Sequence, residues 1–479
     1  MARAPNLHAG LCQAELAEIG VAQVLVVSQP PIWPWVLLYS SRKNGETPGC
    51  YRIDSSNPGG LTLDSPRLIY EITLRLWRNT MTPKVDNWSR RDFLKAACAA
   101  SVGSMVAPID CLAEPPNELV AMPTRSFGKT GVKVPILGFG GSLDIAQLML
   151  RSAIKWGVTY WDTANSYMGG NSEKRIGKYL GKYPEDRKKI FLVTKSHGWT
   201  LDGMTSDLNQ SLERMKTDYV DLFFVHSVRG INQLDDDIQA WSEKAKAGGK
   251  IRFFGFSTHS NMERCMLEAA KLGWIDGIMM SYNYRLMHTD GMRRAVDACV
   301  DSGIGLTAMK TQGGGSLRTD TETELKLAGR FLKKGFTDAQ AKLKAVWENP
   351  NIASICSEMP NMTILMSNVA AALNRTELSS QDRELLRLYA QETRSTYCAG
   401  CSGLCESAIG TAVPIGDVMR FMMYCRSYGD RHRAAVYFSA IPERIRQQMA
   451  NMDYSSAEEK CPQNMAIGKL MREAVKELS

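Results

Sequence analysis

The chain of 479 residues is 44% hydrophobic and 23% charged, close to the average globular protein, which excludes wholesale disorder, a fibrous repeat and a protein built of many membrane spans. Its 58 Lys and Arg against 50 Asp and Glu leave a net charge of +8, too dilute over this length for the concentrated basic face that nucleic-acid binding needs. The length allows about three domains or one barrel with attachments, and twelve cysteines are too sparse for a disulfide-built scaffold, so their positions decide their use.

The first apolar stretch, Val21 to Tyr39, is interrupted by Pro30, Pro31 and Pro34, which break the hydrogen-bond ladder a spanning helix requires. Residues 1–80 have no periodic pattern and read as a non-native or disordered extension. Next come Ser89-Arg90-Arg91-Asp92-Phe93-Leu94-Lys95, a small and weakly apolar run from Ala96 to Ala107, and Cys111-Leu112-Ala113. This segment resembles a twin-arginine export signal with cleavage after Ala113. Such a signal belongs at an amino terminus, and Met81 lies just before it. Translation is therefore expected to begin at Met81, with residues 81–113 a signal peptide; the alternative is a genuine but poorly folded extension. The resemblance implies export by the twin-arginine translocase, a periplasmic or extracytoplasmic location, and no membrane span in the mature protein.

Residues 114–375 alternate short apolar runs with amphipathic segments, the signature of a parallel sheet covered by helices. The runs are Ile136 to Gly140, Val158 to Asp162, Ile190 to Lys195, Val220 to His226, Ile251 to Ser257, Ile275 to Met280, Ile304 to Lys310 and Ile352 to Ile355. Eight strands with intervening helices predict an α/β fold, the (β/α)8 TIM barrel. Asp162, Lys195, His226, Ser257 and Lys310 end their runs, and in a barrel those ends converge on the face where active sites are built.

The motifs along this stretch resemble the aldo-keto reductase family. Met122 to Val134 is similar to its N-terminal hairpin, Asp162-Thr163-Ala164-Asn165-Ser166-Tyr167 to its Asp and Tyr motif, Thr194-Lys195 to its Lys strand, and Asp218 to Leu222 leading to His226 to its His strand. The resemblance implies that Tyr167 protonates a substrate oxygen as hydride arrives from a nicotinamide, that Lys195 lowers the tyrosine pKa, that Asp162 holds Lys195, and that His226 orients the carbonyl. His197 reads as a rim residue. It also implies NADP or NAD as cofactor, with Ser257 and Thr258 at the nicotinamide amide, Lys310 and Gly313 toward the pyrophosphate, and Asn368 near the adenine. Met279 and Met309 stand where the family has Gln and an aromatic residue, and Glu358 stands where it offers a cation to the 2′-phosphate. The expected substrate is a small carbonyl compound or alcohol. The alternatives are a non-catalytic nucleotide-sensing or partner-binding barrel, and an electron-transfer protein on a barrel scaffold.

Residues 376–479 read as helices, among them Ser380 to Gln391 and Ile415 to Tyr428. Cys398, Cys401 and Cys405 lie close together, and Cys461 precedes Pro462 much later. Three spaced thiolates with a remote Cys-Pro can wrap a cubane cluster, and the segment resembles the ferredoxin-like extension of some aldo-keto reductases. One [4Fe-4S] cluster held by these four cysteines, with a redox partner, is expected in a mainly helical domain. The second spacing is longer than in the usual ferredoxin run, and no second set exists. A zinc site and disulfides are the alternative uses of the same cysteines. Cys265, Cys299, Cys356 and Cys425 read as packing residues.

Overall fold

The computed structural model of the chain describes residues 121–315, 321–410 and 412–479, together with the backbone of residues 23–27 and 35–39. The chain divides into two units, residues 1–87 and 88–479. In the first, strands β1 (Gln23–Val27) and β2 (Trp35–Tyr39) pair antiparallel, Gln23 opposite Tyr39. The expected start at Met81, the Arg90-Arg91 motif and the cleavage site after Ala113 lie outside the described residues. Among the described residues no helix is long and apolar enough to cross a membrane.

The second unit opens with a hairpin, β3 (Thr124–Ser126) and β4 (Lys133–Pro135). Eight parallel strands then close into a barrel in chain order, the last pairing with the first. They are β5 (Leu137–Gly140), β6 (Tyr160–Asp162), β7 (Phe191–Ser196), β8 (Val220–Val225), β9 (Ile251–Thr258), β10 (Gly277–Ser281), β11 (Gly305–Met309) and β12 (Ile352–Glu358). Each coincides with a predicted run, and β12 continues three residues further, to Glu358. Every residue of β5, β6, β7, β8, β10 and β11 is buried, because a parallel sheet is covered on both faces and therefore requires continuous apolar runs instead of alternation.

The helices are α1 (Gln147–Lys155), α2 (Asn171–Lys182), α3 (Leu201–Met215), α4 (Asp236–Ala247), α5 (Met262–Ala269), α6 (Asp290–Asp301), α7 (Glu322–Lys333), α8 (Asp338–Trp347) and α9 (Met362–Leu373). Their starts are written locally. Thr321 and Glu324 form a capping box on α7, and Thr337 and Gln340 form one on α8, each satisfying amide groups that the first turn leaves without partners.

The hairpin plugs the amino-terminal end of the barrel. Phe127 is fully buried among Tyr160, Phe191, Leu222 and Phe224. The plug fits because β10 and β11 begin with glycine: a Cβ on Gly305 would lie 2.5 Å from the Phe127 ring, and one on Gly277 2.8 Å from it.

Beyond the barrel, α10 (Ser380–Glu392) packs Leu386 and Tyr389 against Leu327 and Phe331 of α7. Helices α11 (Ser402–Ile409), α12 (Ile415–Arg426), α13 (Arg431–Ser439), α14 (Glu443–Met449), α15 (Ser455–Glu459) and α16 (Ile467–Leu478) share a core of their own, built on Val418, Met422, Phe438, Met449 and Met471. This helical module lies across the carboxyl end of the barrel. Arg229, after β8, pairs with Asp417 at 2.7 Å and with Glu406. Asn261, after β9, takes the Gly403 amide at 2.7 Å and donates its own amide to the Gly400 carbonyl at 2.7 Å. Asn283, after β10, donates to the Tyr397 hydroxyl at 2.9 Å. Arg433 of α13 reaches Glu358 of β12 at 2.8 Å and Ser142, after β5, at 3.1 Å.

Truncation of the plug, Phe127→Ala, leaves a cavity that the barrel end cannot refill and is expected to cost about 3–5 kcal/mol, read as a lowered urea midpoint with unchanged slope. A midpoint within experimental error of the parent would show that the hairpin does not seal the barrel.

Candidate active site

Three strand ends and one turn bring the predicted tetrad together. After β6 the chain stays zipped to β7, with the Thr163 amide donating to Val193 and the Asn165 amide to Lys195. This carries the turn Tyr167–Gly170 over Lys195. Lys195 Nζ donates to both carboxylate oxygens of Asp162 at 2.6 Å, to the Thr163 carbonyl at 2.7 Å and to the Tyr167 hydroxyl at 3.5 Å. The β8 end is fixed in the same way, by the His226 amide on the Ser196 carbonyl. It sets the His226 ring edge-on to Tyr167, 5.5 Å between centroids, and stacked on His197 at 4.1 Å. Lys195 is 1% exposed, Asp162 3% and His226 6%. His226 Nδ1 is buried without a hydrogen-bond partner among the described residues.

Burial dominates the electrostatics. It raises the Asp162 carboxyl above the usual value against the opposing pull of Lys195. It pushes the Tyr167 phenol well up, and the neighbouring Asp162 charge pushes further. Lys195 was expected to lower the Tyr167 pKa; it lies 3.5 Å from the hydroxyl, but its shortest bonds go to Asp162, and burial with the Asp162 charge sets the upward direction. His226 is driven well below 6.5 by burial, then by His197, Lys195, Arg420 and Lys310. His259 is lowered in the same sense by burial, Lys310 and Arg420. Both imidazoles are neutral at pH 7, so each presents one donor and one acceptor nitrogen.

The predicted cofactor residues are spread around the same mouth. Ser257 Oγ accepts the Ser227 amide at 3.1 Å, and Thr258 donates to the Ser260 carbonyl at 2.8 Å. Asn368 donates to Ser357 at 3.1 Å. Gly313 packs against Tyr284: a Cβ there would sit 2.7 Å from that ring. Lys310 turns inward and donates to the Tyr424 hydroxyl of α12 at 2.9 Å. Non-glycine residues in the left-handed region recur here: Met168, Ser227, Asn261 and Lys310 have φ of 52°, 62°, 51° and 55°. Each follows a barrel strand on the carboxyl face, and such backbone persists only where its surroundings hold it.

Sequence reasoning missed several members of this site. Cys356, read as a packing residue, bears on the acidity of Asp162 and Tyr167. His259 bonds Ser281 at 3.2 Å beside the mouth. Arg420 and Tyr424 come from the module, and the Arg420 charge bears on His197, His226 and His259. A polar residue after a strand could have flagged His259; nothing local could have flagged the other three.

In the module, Cys398, Cys401, Cys405 and Cys461 line one pocket together with Ile415, Met419 and Pro462. All four are free thiols. Burial raises Cys398 and Cys405 to about 12, and each feels its neighbouring cysteines. Ser402, on the same wall, has a buried hydroxyl without a partner among the described residues. Among the described residues no group of three or more His, Cys, Asp or Glu is placed to hold a metal ion.

Residues 142–375 match the family model described as "Aldo/keto reductase family". The chain is similar to an aldo-keto reductase of Fusarium vanettenii, 28% identical over 240 residues, which are 40% of this chain and 65% of that protein. L-galactose dehydrogenase of Arabidopsis thaliana is 26% identical over 295 residues, 55% of this chain and 91% of that one. D-threo-aldose 1-dehydrogenase of a Pseudomonas species is 24% identical over 310 residues, 54% and 91%. Among solved structures, the holo form of an aldo-keto reductase from Bacillus halodurans aligns with a TM-score of 0.48 and 23% identity, covering 56% of this chain and 96% of its own.

The neutral imidazoles set a pH dependence. In the unfolded chain His226 and His259 take up protons near pH 6.5, while in the fold they do not. The unfolded state therefore binds more protons, and stability falls as pH drops through that value. Asp162, raised in the fold, acts with the opposite sign above its ordinary value. Urea midpoints are expected to fall from about pH 7.5 to about pH 5.5, and less steeply in His259→Asn; equal slopes would remove His259 from the account.

Proposed function

We propose that the aldo/keto reductase domain of residues 142–375 makes this chain an NAD(P)-dependent oxidoreductase that interconverts a small carbonyl compound and its alcohol. The observation that carries the reading is the buried convergence of Tyr167, Lys195, Asp162 and His226, with an imidazole nitrogen still lacking a partner. Neutral His226 donates a hydrogen bond to the carbonyl oxygen and polarises it without placing a second cation beside Lys195. Tyr167 delivers a proton to the same oxygen. Asp162 fixes Lys195 so that the phenolate left behind faces an ammonium 3.5 Å away, a charge that matters only once the proton has gone.

A bound nicotinamide supplies the hydride. Ser257, Thr258, Gly313 and Asn368 would hold the dinucleotide. Lys310 suits its anionic part, since it carries no ion pair to a carboxylate among the described residues and bonds only a phenol. Glu358 is neutralised by Arg433, so the repulsion expected at the 2′-phosphate is reduced. Two relatives act, by name, on L-galactose and on D-threo-aldoses, which makes an aldose the first substrate class to test. NAD or NADP reduction with L-galactose is expected in the parent, and Tyr167→Phe is expected to lower kcat by about 10²–10⁴-fold with the dinucleotide still bound. Undiminished turnover in that variant would remove Tyr167 as the acid.

The module is proposed to hold one [4Fe-4S] cluster on Cys398, Cys401, Cys405 and Cys461. In support, four unbridged sulfurs surround one apolar pocket, and the Ser402 hydroxyl beside it has a proton free to give to a cluster sulfur. Export by the twin-arginine route is proposed on the Ser89 to Lys95 motif alone. Anaerobically prepared protein is expected to contain about four iron and four acid-labile sulfide per chain, lost in Cys461→Ser; zinc without iron would overturn the cluster.

A further inference from the structure

The chain's surplus of positive charge is small, but it is not evenly spread. Helix α2, flanked by α1 and the carboxyl end of α3, floors a groove of about 770 Å³ in the helical layer around the barrel. Six of the ten residues lining it are cations: Arg151 of α1, Lys174, Lys178 and Lys182 of α2, Arg214 of α3 and Lys216 just past it. No carboxylate joins them. We propose that this groove is a binding site for a small ligand that carries several linked phosphates. None of its lining residues belongs to the tetrad or to the set assigned to the dinucleotide, so the site goes beyond the oxidoreductase reading and does not depend on it.

The lysines form a row. Lys174, Lys178 and Lys182 follow one another at steps of four in α2, which places them on one face of the helix, about 6 Å apart along its axis and about 12 Å from first to last. Like charges at this spacing repel and weaken a helix, so the row works against the element that carries it. Neither these three nor Lys216 forms an ion pair among the described residues, and carboxylates in the adjoining segments are already taken: Asp144 by Arg175, Glu173 by Arg214 and Asp186 by Lys189.

The walls are held in place by the backbone. Lys216 closes α3 in the left-handed region, φ 53°, which a lysine adopts only when its surroundings impose it. Its side chain lies across Gly181 of α2: a Cβ there would sit 3.1 Å from Lys216 Cδ and 3.3 Å from its Nζ. A glycine inside a helix costs stability, and here its bare surface lets the fourth lysine reach the floor. Arg214 is fixed from behind. It donates to the Asn165 carbonyl at 2.9 Å and to Glu173 at 3.1 Å, and Gly170 comes so near that a Cβ on it would lie 2.5 Å from the guanidinium carbon.

Size and donor type choose the ligand. The volume falls in the range of small-molecule sites. A single phosphate would reach one or two lysines of the row, whereas a chain of phosphates reaches them all. Ammonium groups act as point charges and suit the oxygens of a phosphate from any side, while a carboxylate is best met by the planar fork of arginine. Of the two arginines here, Arg214 already spends its fork on Asn165 and Glu173. Leu148, 48% exposed, and Tyr183, whose ring has Lys182 Nζ above it at 5.3 Å, add an apolar surface for the rest of such a ligand.

The test is calorimetric titration of the full-length protein with inorganic tripolyphosphate at about 150 mM salt, where the charges of a merely diffuse surface are screened beyond about 8 Å. Binding is expected to saturate at a single site. Lys178→Ala, at the centre of the row and exposed, is expected to weaken it about tenfold, and Lys174→Ala added to that variant about a hundredfold in all. Lys271→Ala removes the same charge from an exposed position outside the groove and is expected to bind as the parent does. No binding, binding that does not saturate, an unchanged affinity in Lys178→Ala, or equal losses in Lys178→Ala and Lys271→Ala would each overturn the site. Tighter binding of a hexaglutamate peptide than of tripolyphosphate would also overturn it and assign the groove to an acidic protein segment. None of these readouts involves turnover, so a chain that binds tripolyphosphate in this way but reduces no carbonyl would defeat the oxidoreductase reading alone.

Discussion

The mouth of the barrel is organised by one ion pair, Lys195 on Asp162, closed on three sides by two carboxylate oxygens and the Thr163 carbonyl. Both groups have left water almost entirely. Neither is tolerable there alone: losing one partner of such a pair strands a buried charge, at a cost of about 3–5 kcal/mol. The pair is thus a fixed, nearly neutral floor. Above it the imidazoles shed their protons and the Tyr167 phenol keeps its own. The Lys310 ammonium, brought to the mouth by the loop after β11, has no carboxylate partner among the described residues, whereas Arg420 of α12 pairs with Asp417 at 3.0 Å.

This arrangement makes the helical module part of the site. Bonds from the loops after β5, β8, β9, β10 and β11, and from the last residue of β12, each find a partner on it. Arg285 shows how closely the two parts are knitted: its guanidinium lies over the rings of Tyr284, Tyr389 and Tyr397 at 5.1–5.3 Å while it donates to the Gly313 carbonyl. The glycine run 313–315 is needed for that approach, since side chains there would meet Tyr284, Tyr397 and Ser427. Glycine in this loop serves the chain's own aromatic residues before it serves any phosphate.

The barrel was legible in the sequence because a parallel sheet buried on both faces demands continuous apolar runs, and β5 to β12 are such runs. Asp162, Lys195 and His226 were legible because they end strands or follow one directly, and strand ends meet by topology alone, whereas Tyr167, in the turn after β6, was named by the family resemblance. The helices around Ile415 were legible as helices. Their role was not. Tyr424 and Arg420 carry no local mark that separates them from packing aromatics and solvated cations, and Tyr424 meets Lys310 across 114 positions. Cys356 was read as a filler for the same reason: what makes it part of the site is Asp162, which belongs to another strand. The direction of the Tyr167 shift was not legible because the sequence names Lys195 and Asp162 beside the tyrosine but not how deeply the fold buries the phenol.

The strand and helix order of the barrel has a consequence in time. A ribosome releases β5 to β12 well before α11 to α16, so for an interval the barrel exists with Arg229, Asn261, Asn283, Lys310 and Glu358 exposed around an open mouth. Closure then comes from the segment synthesised later, which carries its own core of Val418, Phe438 and Met471. The site is therefore finished by translation order as well as by packing, and its last wall is laid by the residues that the barrel itself does not encode.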